Sequence, residues 1–312
     1  MPYPTTAKEF LNQLIDEIAK KDRLHSKKIN ANIDALNSSH PELYNELVEL
    51  VRLYFSTHEL DTERIASDYL KMIRDMRTEG LYFYKHGKYR CENQKIANEY
   101  VYSKPDVMSY YMHALLVSQI LWKHHFNIFV HFQQQLKVLF PAKAALKILD
   151  IGPGHGFFSF IVKKEFPSYE KIDVVDISET SLEMTKRILG TDQGKIRYTL
   201  SDIFDYEVSE KYDFIVLGEV LEHLDEPGQI LIKLSNLMHQ EGLLWITTPT
   251  NSPALDHVYL FNNKDEVLTL IKTSGLDIVN VCNYFAEDMD EATALKNRIT
   301  NLVGLFAKNK TL

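Results

Sequence analysis

The chain has little cysteine, no surplus of positive charge and no long apolar run. Its two cysteines, Cys91 and Cys282, cannot build a disulfide framework and fit a reducing, cytoplasmic setting. Lysine and arginine total 35 against 43 acids, a formal net charge of −8, which argues against a broad nucleic-acid footprint. No apolar run reaches the ~18 residues that a membrane span needs. The start, Met1 to Thr6, lacks the basic stretch and apolar core of a secretory signal. No internal repeat or low-complexity tract appears. Nucleic acid and membrane are therefore not expected partners. Glycine is also unevenly spread, with only Gly80 and Gly87 before residue 140.

At 312 residues the chain exceeds one typical domain, and two are expected. Thr6-Ala7-Lys8-Glu9 has the capping-box pattern and opens a helix with Phe10, Leu14 and Ile18 on one face. Pro41 opens another, with Leu43, Leu47, Leu50, Val51 and Tyr54 at helical spacing. Residues 62–79 and 106–139 read as further helices. The aromatic-rich stretch between them, Leu81 to Tyr102, reads as a loop or short hairpin. Phe140-Pro141-Ala142-Lys143-Ala144 reads as a linker. The expected division is 1–140, an α-helical lid or substrate domain, and 141–312, where strands and helices alternate as in a parallel sheet.

The alternating half opens with its most informative stretch. Leu146-Lys147-Ile148-Leu149 is a short apolar run, Asp150-Ile151-Gly152-Pro153-Gly154-His155-Gly156 a glycine-rich turn, and Phe157 to Phe166 a helical run. Glycine adopts positive φ freely and lets a ligand approach bare backbone, and unpaired N–H groups at a helix start suit an anionic group. Lys171 to Asp176 reads as a second strand ending in an acid placed to accept from a ribose diol. Asp173 reads as the competing acid, solvating or capping that strand. Ile196 to Ser201 reads as a third strand followed by Asp202-Ile203, Tyr212 to Glu219 as a fourth and Gly242 to Pro249 as a fifth. Leu276 to Tyr284 and Asn301 to Ala307 complete the set.

The GPGHG turn behind an acid, tighter than a dinucleotide GxGxxG, resembles the first motif of class I S-adenosylmethionine-dependent methyltransferases. Four ordered motifs carry the resemblance over roughly residues 145–310. It implies a doubly wound, mostly parallel, seven-stranded Rossmann-like α/β sheet. It implies that Asp150, Gly152, Pro153 and Gly154 frame the methionine end of the cofactor, and that Asp176 and Ile177 serve the ribose. Asp202 would meet the adenine amino group, Ile203 would pack on the ring, and Glu219 would sit under the cofactor.

Glu219-Val220-Leu221-Glu222-His223 follows the fourth strand. If helical, its acids and imidazole share a face at i, i+3 and i+4. Asp256-His257 follows the fifth strand and returns to the same sheet edge. Glu-x-x-Glu-His with a later His resembles ubiquinone-pathway O-methyltransferases and small-RNA 2′-O-methyltransferases. There the set binds magnesium or a similar ion, so Glu219, Glu222, His223 and His257 become candidate ligands of one divalent cation. Alternatively, a Glu-His pair at this point packs near the methionine moiety, with His223 or His257 as general base. His124, His125 and His131 lack a cysteine or carboxylate to complete a metal set. Tyr102, Tyr110 and Tyr111 are candidate substrate contacts.

The expected chemistry is in-line methyl transfer to carbon or oxygen of a small molecule, resting on positioning with at most one base. Two rivals stay open: cyclisation of the cofactor's aminobutyrate arm to an azetidine amino acid, and a non-catalytic cofactor-binding subunit. A homodimer also stays open.

Overall fold

Thr6 opens the first helix as its pattern predicts. The Thr6 hydroxyl accepts from the Glu9 N–H at 3.2 Å, while the Glu9 carboxylate reaches back to the Thr5 N–H at 2.9 Å and hydroxyl at 2.8 Å. The computed structural model describes residues 3–140 and 145–310. Helix α1 (Ala7–Lys21) buries Phe10, Leu14 and Ile18. Helix α2 (Arg23–Ser39) escapes the sequence reading because its apolar stripe is thin: Ile29, Ile33 and Leu36 are its buried aliphatics. Helix α3 (Pro41–Thr57) starts at Pro41 as expected.

Helix α4 (Thr62–His86) runs past residue 79 into the aromatic stretch. It stops at Gly87, whose φ of +72° lets its N–H bond the Phe83 carbonyl at 2.7 Å. The expected loop or short hairpin is the end of α4, an irregular stretch over 88–93, a short helix α5 (Gln94–Ala97) and a π-helical turn over Asn98–Tyr102, with no hairpin. The expected 106–139 helix is two, α6 (Pro105–Leu121) and α7 (Lys123–Leu139). The break at Trp122 has no proline or glycine. It is tertiary: the extended Trp122 backbone aims the indole N–H at the Tyr69 hydroxyl of α4, 2.8 Å away.

The rest alternates strand and helix: β1 (Lys147–Ile151), α8 (Phe157–Glu165), β2 (Lys171–Asp176), α9 (Glu179–Leu189), β3 (Ile196–Leu200) and β4 (Tyr212–Gly218). Then come α10 (Pro227–Leu237), β5 (Met238–Thr250), α11 (Lys264–Thr273), β6 (Leu276–Phe285), α12 (Glu291–Lys296) and β7 (Asn301–Asn309). The seven strands lie in the order β3-β2-β1-β4-β5-β7-β6, with β7 antiparallel to both neighbours. This is the doubly wound, mostly parallel sheet expected. Of the expected linker, residues 141–144 lie outside the described residues.

Two apolar layers clamp the sheet. Ile230, Leu231 and Leu234 of α10 and Val267 and Ile271 of α11 pack on one face. The other face shares its core with the helical segment, where the Phe132 ring of α7 lies 4.9 Å from Trp245 and 6.1 Å from Phe306. Among the described residues no helix is long and apolar enough to cross a membrane.

Candidate active site

Gly152 and Gly154 take φ values of +60° and +57° in the turn after β1, a region L side chains rarely adopt. A Cβ on Gly152 would lie 2.9 Å from the Val220 methyl, and one on Gly154 2.9 Å from the Met112 sulfur, so α6 presses onto the turn. The Gly152 N–H is tied to the Val175 carbonyl at 2.9 Å.

A cavity opens above this turn, at the carboxyl edge of the sheet, where doubly wound folds bind ligands. Gly152, Pro153, Gly154, Asp176, Ile177, Asp202, Ile203, Glu219, Glu222, His223 and His257 all line it. Asp150 is not among the lining residues: it lies beneath, 2% exposed, accepting from the Ser159 hydroxyl of α8 and so supporting the turn. Burial pushes its carboxyl up to about 7. Burial likewise pushes the Asp176 carboxyl up to about 7, although it accepts from the Ser178 N–H at 2.7 Å. Asp173 neither solvates nor caps β2. It is 2% exposed and joins Tyr212 (2.6 Å), Lys171 (2.8 Å) and Arg197 (3.0 Å) at the far side of the strand's run.

From the helical side, Tyr102 and Tyr111 line the cavity and Tyr110 does not. Tyr110 donates to Asp75 at 2.8 Å, with the Lys71 ammonium 3.5 Å from its ring centroid. Alternation along α6 explains the difference, since adjacent helix positions point about 100° apart. Tyr102 and Tyr111 instead donate to the two oxygens of one carboxylate, Asp256, at 3.1 and 3.2 Å. Asp256 is 2% exposed and is a cavity residue that the motif reading did not assign.

The Glu219–His223 segment is not an α-helix. Glu219 sits at φ +54°, held by its N–H to the Thr247 carbonyl at 2.9 Å, and Leu221–His223 forms one 3₁₀ turn. The expected four-residue cluster becomes three: Glu222, His223 and His257 offer ligand atoms within 4.8 Å of one another, and Glu219 is outside the group. Glu222 is fully buried. Its Oε2 accepts from the Thr248 hydroxyl at 2.8 Å, and its Oε1 has no hydrogen-bond partner among the described residues. Burial, then the neighbouring Glu219, holds the Glu222 carboxyl well above the usual carboxylate range. Burial also lifts Glu219, to about 7.

Each imidazole is oriented through its Nδ1. His223 Nδ1 lies 3.1 Å from the Asp256 carbonyl and His257 Nδ1 2.5 Å from the Ser252 carbonyl, while His223 Nε2 lies 3.7 Å from Glu222 Oε1. Burial depresses His257 to about 4, so it is neutral at physiological pH. A neutral imidazole, a second imidazole and a carboxylate oxygen without a hydrogen bond form a donor set that fits a divalent cation.

Gln119, His125 and His155 also line the cavity and were missed as site residues. His155 stands inside the glycine motif, which is a usable signal. Gln119 and His125 flank the Trp122 break, and nothing in local spacing announces that α6 and α7 return to the sheet edge.

The profile of a methyltransferase-domain family matches residues 124–288, more than half of the chain. Malonyl-acyl-carrier-protein O-methyltransferase 1 from Ilyobacter polytropus is 29% identical over 174 residues, covering 52% of this chain and 64% of that protein. The mitochondrial ubiquinone biosynthesis O-methyltransferase of Candida albicans is 31% identical over 109 residues, covering 34% of this chain and 33% of its own length. The crystal structure of the N-methyltransferase NodS from Bradyrhizobium japonicum with S-adenosyl-l-homocysteine aligns at a TM-score of 0.45 and 18% identity, over 61% of this chain and 89% of that one. On the extent of the profile match and the ordered strand-end motifs, this chain belongs to the methyltransferase-domain family, in its class I, S-adenosylmethionine-dependent form.

Proposed function

We propose that the protein transfers the methyl group of S-adenosylmethionine to a small-molecule acceptor, in the cytoplasm and without a nucleic-acid or membrane partner. One observation carries this reading. The glycine turn, the strand-end acids Asp176 and Asp202, and the Glu222–His223–His257 group meet in one cavity that Tyr102 and Tyr111 close from the helical side. In this reading Gly152, Pro153 and Gly154 cradle the methionine end, Asp176 and Ile177 the ribose, and Asp202 and Ile203 the adenine. Residues 1–140 act as the lid and 141–312 as the cofactor domain. Enclosure excludes water from the sulfonium and aligns the acceptor for in-line attack. His223 is the candidate base, since it lines the cavity, its side chain is partly exposed and its Nδ1 is already held.

A second reading adds a metal, favoured by the Glu222 oxygen that has no hydrogen-bond partner among the described residues beside two oriented imidazoles. Glu222, His223 and His257 would hold the ion, and manganese, iron or zinc suits that mixture better than magnesium. When bound, a cation there supplies Lewis acidity and a template for an oxygen acceptor. Elemental analysis of purified protein, before and after chelation, tests this: metal in wild type and none in Glu222→Gln is expected, and metal-free wild type that stays metal-free on add-back rejects it.

For the transfer itself, the test is mass spectrometry of a metabolite extract incubated with methyl-labelled S-adenosylmethionine. A labelled product with S-adenosylhomocysteine is expected. Conversion of the cofactor alone to methylthioadenosine would indicate cyclisation instead, and binding without any turnover would indicate a cofactor-binding subunit.

A further inference from the structure

The two imidazoles of the site, His223 and His257, are turned the same way. Each donates its Nδ1–H to a backbone carbonyl, His223 to Asp256 at 3.1 Å and His257 to Ser252 at 2.5 Å. A carbonyl oxygen only accepts, so on a neutral ring the lone pair is left on Nε2. That choice decides which nitrogen can take a proton from an acceptor or face a cation. Both carbonyls belong to one loop, residues 251–257, which follows β5 and has no regular secondary structure of its own. Such a segment keeps a direction only where other elements hold it.

The holders come from the helical segment. Ser252 donates its N–H to the Tyr89 hydroxyl at 2.9 Å, and the Asp256 carboxylate accepts from Tyr102 at 3.1 Å and Tyr111 at 3.2 Å. Tyr89 lies in the stretch after Gly87, Tyr102 in the π-helical turn and Tyr111 on α6. The rings repeat the pairing. Tyr89 stands edge to face with His257, centroids 5.7 Å apart, and Tyr102 likewise with His223 at 5.9 Å. The two imidazoles themselves meet edge to face at 4.9 Å. Tyr89, Tyr111, Ser252 and Asp256 are all buried, where a hydrogen bond is stronger than in water. On the sheet side the loop is tied just beyond His257, where the Val258 and Tyr259 N–H groups donate to the Glu222 carbonyl at 2.8 and 2.9 Å.

We propose that Tyr89, Tyr102 and Tyr111 are positioning residues that, through Ser252 and Asp256, set the tautomers of His257 and His223. The helical segment thereby decides which nitrogen each imidazole offers, and Tyr89 does so without lining the cavity. This deepens the reading in which His223 is the base, and rests on it.

Histidine-¹⁵N spectra in alkaline buffer, where imidazoles are neutral, read the tautomer directly, with His223→Gln and His257→Gln assigning the two rings. Wild type should show both as the Nδ1–H form. Tyr102→Phe combined with Tyr111→Phe should spread the His223 proton over both nitrogens and leave His257 as it was. The expected change in tautomer ratio is roughly fivefold, the scale of one neutral hydrogen bond. Asp256→Asn, which keeps the side chain's shape, should reproduce that change. Tyr89→Phe should move the His257 ratio by a similar factor and spare His223. His25 and His113, bonded to Tyr69 and Asp68 within the bundle, are internal controls and should not change. A wild-type ring protonated on Nε2 overturns the proposal. Unchanged ratios in folded variants overturn it as well, because the Val258 and Tyr259 anchors would then suffice. So does a change shared by the control rings, which is general loosening. The proton positions do not depend on turnover: a protein with this coupling that yields no labelled methyl product loses the transfer reading and keeps the coupling.

Discussion

The helical segment and the sheet use polar residues in opposite ways. In the sheet half, apart from the buried Asp173 cluster on β2, strand interiors are mostly apolar and polar groups gather at the carboxyl ends, around the cavity. In the helical half, polar groups are threaded through the interior: Tyr69 joins His25 and Trp122, and Asp68 joins His113 and Arg64. Such buried networks are costly unless every member is satisfied, and they specify one packing when it is. The sheet therefore presents its chemistry at predictable chain positions. The helices deliver theirs, Tyr102, Tyr111, Gln119 and His125, from positions that matter only once the bundle has folded. The two halves meet on Asp256, a sheet-side carboxylate whose phenolic partners are both helical.

If the strand ends govern the cofactor, Asp176→Ala should produce the largest effect. Losing two hydrogen bonds to a charged group should lower S-adenosylhomocysteine affinity by roughly a hundredfold or more in calorimetry. A folded Asp176→Ala protein with wild-type affinity would remove the sheet's claim to the ribose.

The meeting point on Asp256 predicts a stability effect with little effect on the cofactor. Tyr111→Phe leaves a buried carboxylate oxygen without its donor, which costs about 1–3 kcal/mol. Chemical denaturation should register that loss while cofactor affinity changes by less than about threefold. Equal losses in both would mean that the helical tyrosines reach the cofactor rather than the substrate space.

Titration tests the sheet half further. Burial raises Asp176 to about 7, so it is largely protonated at pH 6, and a ribose diol prefers to donate to the ionised form. Cofactor affinity should therefore rise with pH through 7, by up to about tenfold per unit below that value, and this rise should be lost in Asp176→Asn. The same group runs the other way for stability. A raised carboxyl stabilises the fold most below its unfolded value and loses that contribution as pH climbs through about 7. His155 and His257, depressed to about 4, oppose it: their contribution is present above the ordinary imidazole value and lost as pH falls through about 4.

The smallest expected effect lies at the α6–α7 break. Trp122→Phe keeps most of the ring and removes one hydrogen bond to Tyr69, worth about 1 kcal/mol. Thermal denaturation should record it, with cofactor binding unchanged.

The cofactor half was the more legible because its signals are local. A strand, a positive-φ turn and a helix are consecutive in sequence, so Gly152, Gly154, Asp176 and Asp202 could be placed by counting. Counting failed where backbone conformation departs from the regular repeat. Glu219 adopts positive φ, which removes it from the face it would share with Glu222 and His223 on a helix. Asp150 was correctly put at the strand end, yet its side chain turns to Ser159 under the turn, a choice made by the pleat and by α8 packing.

By itself the sequence determined the alternation that builds the parallel sheet, the glycine turn, and the acids at the strand ends, because hydrophobic period and glycine's conformational freedom act within a few residues. Only the tertiary structure decided that Trp122 splits one helical run into two, that Tyr111 and not Tyr110 faces the cavity, and that Gln119 and His125 arrive beside His155. Those outcomes depend on contacts between residues far apart in the chain, such as Trp122 with Tyr69 and Tyr111 with Asp256, which no local pattern encodes.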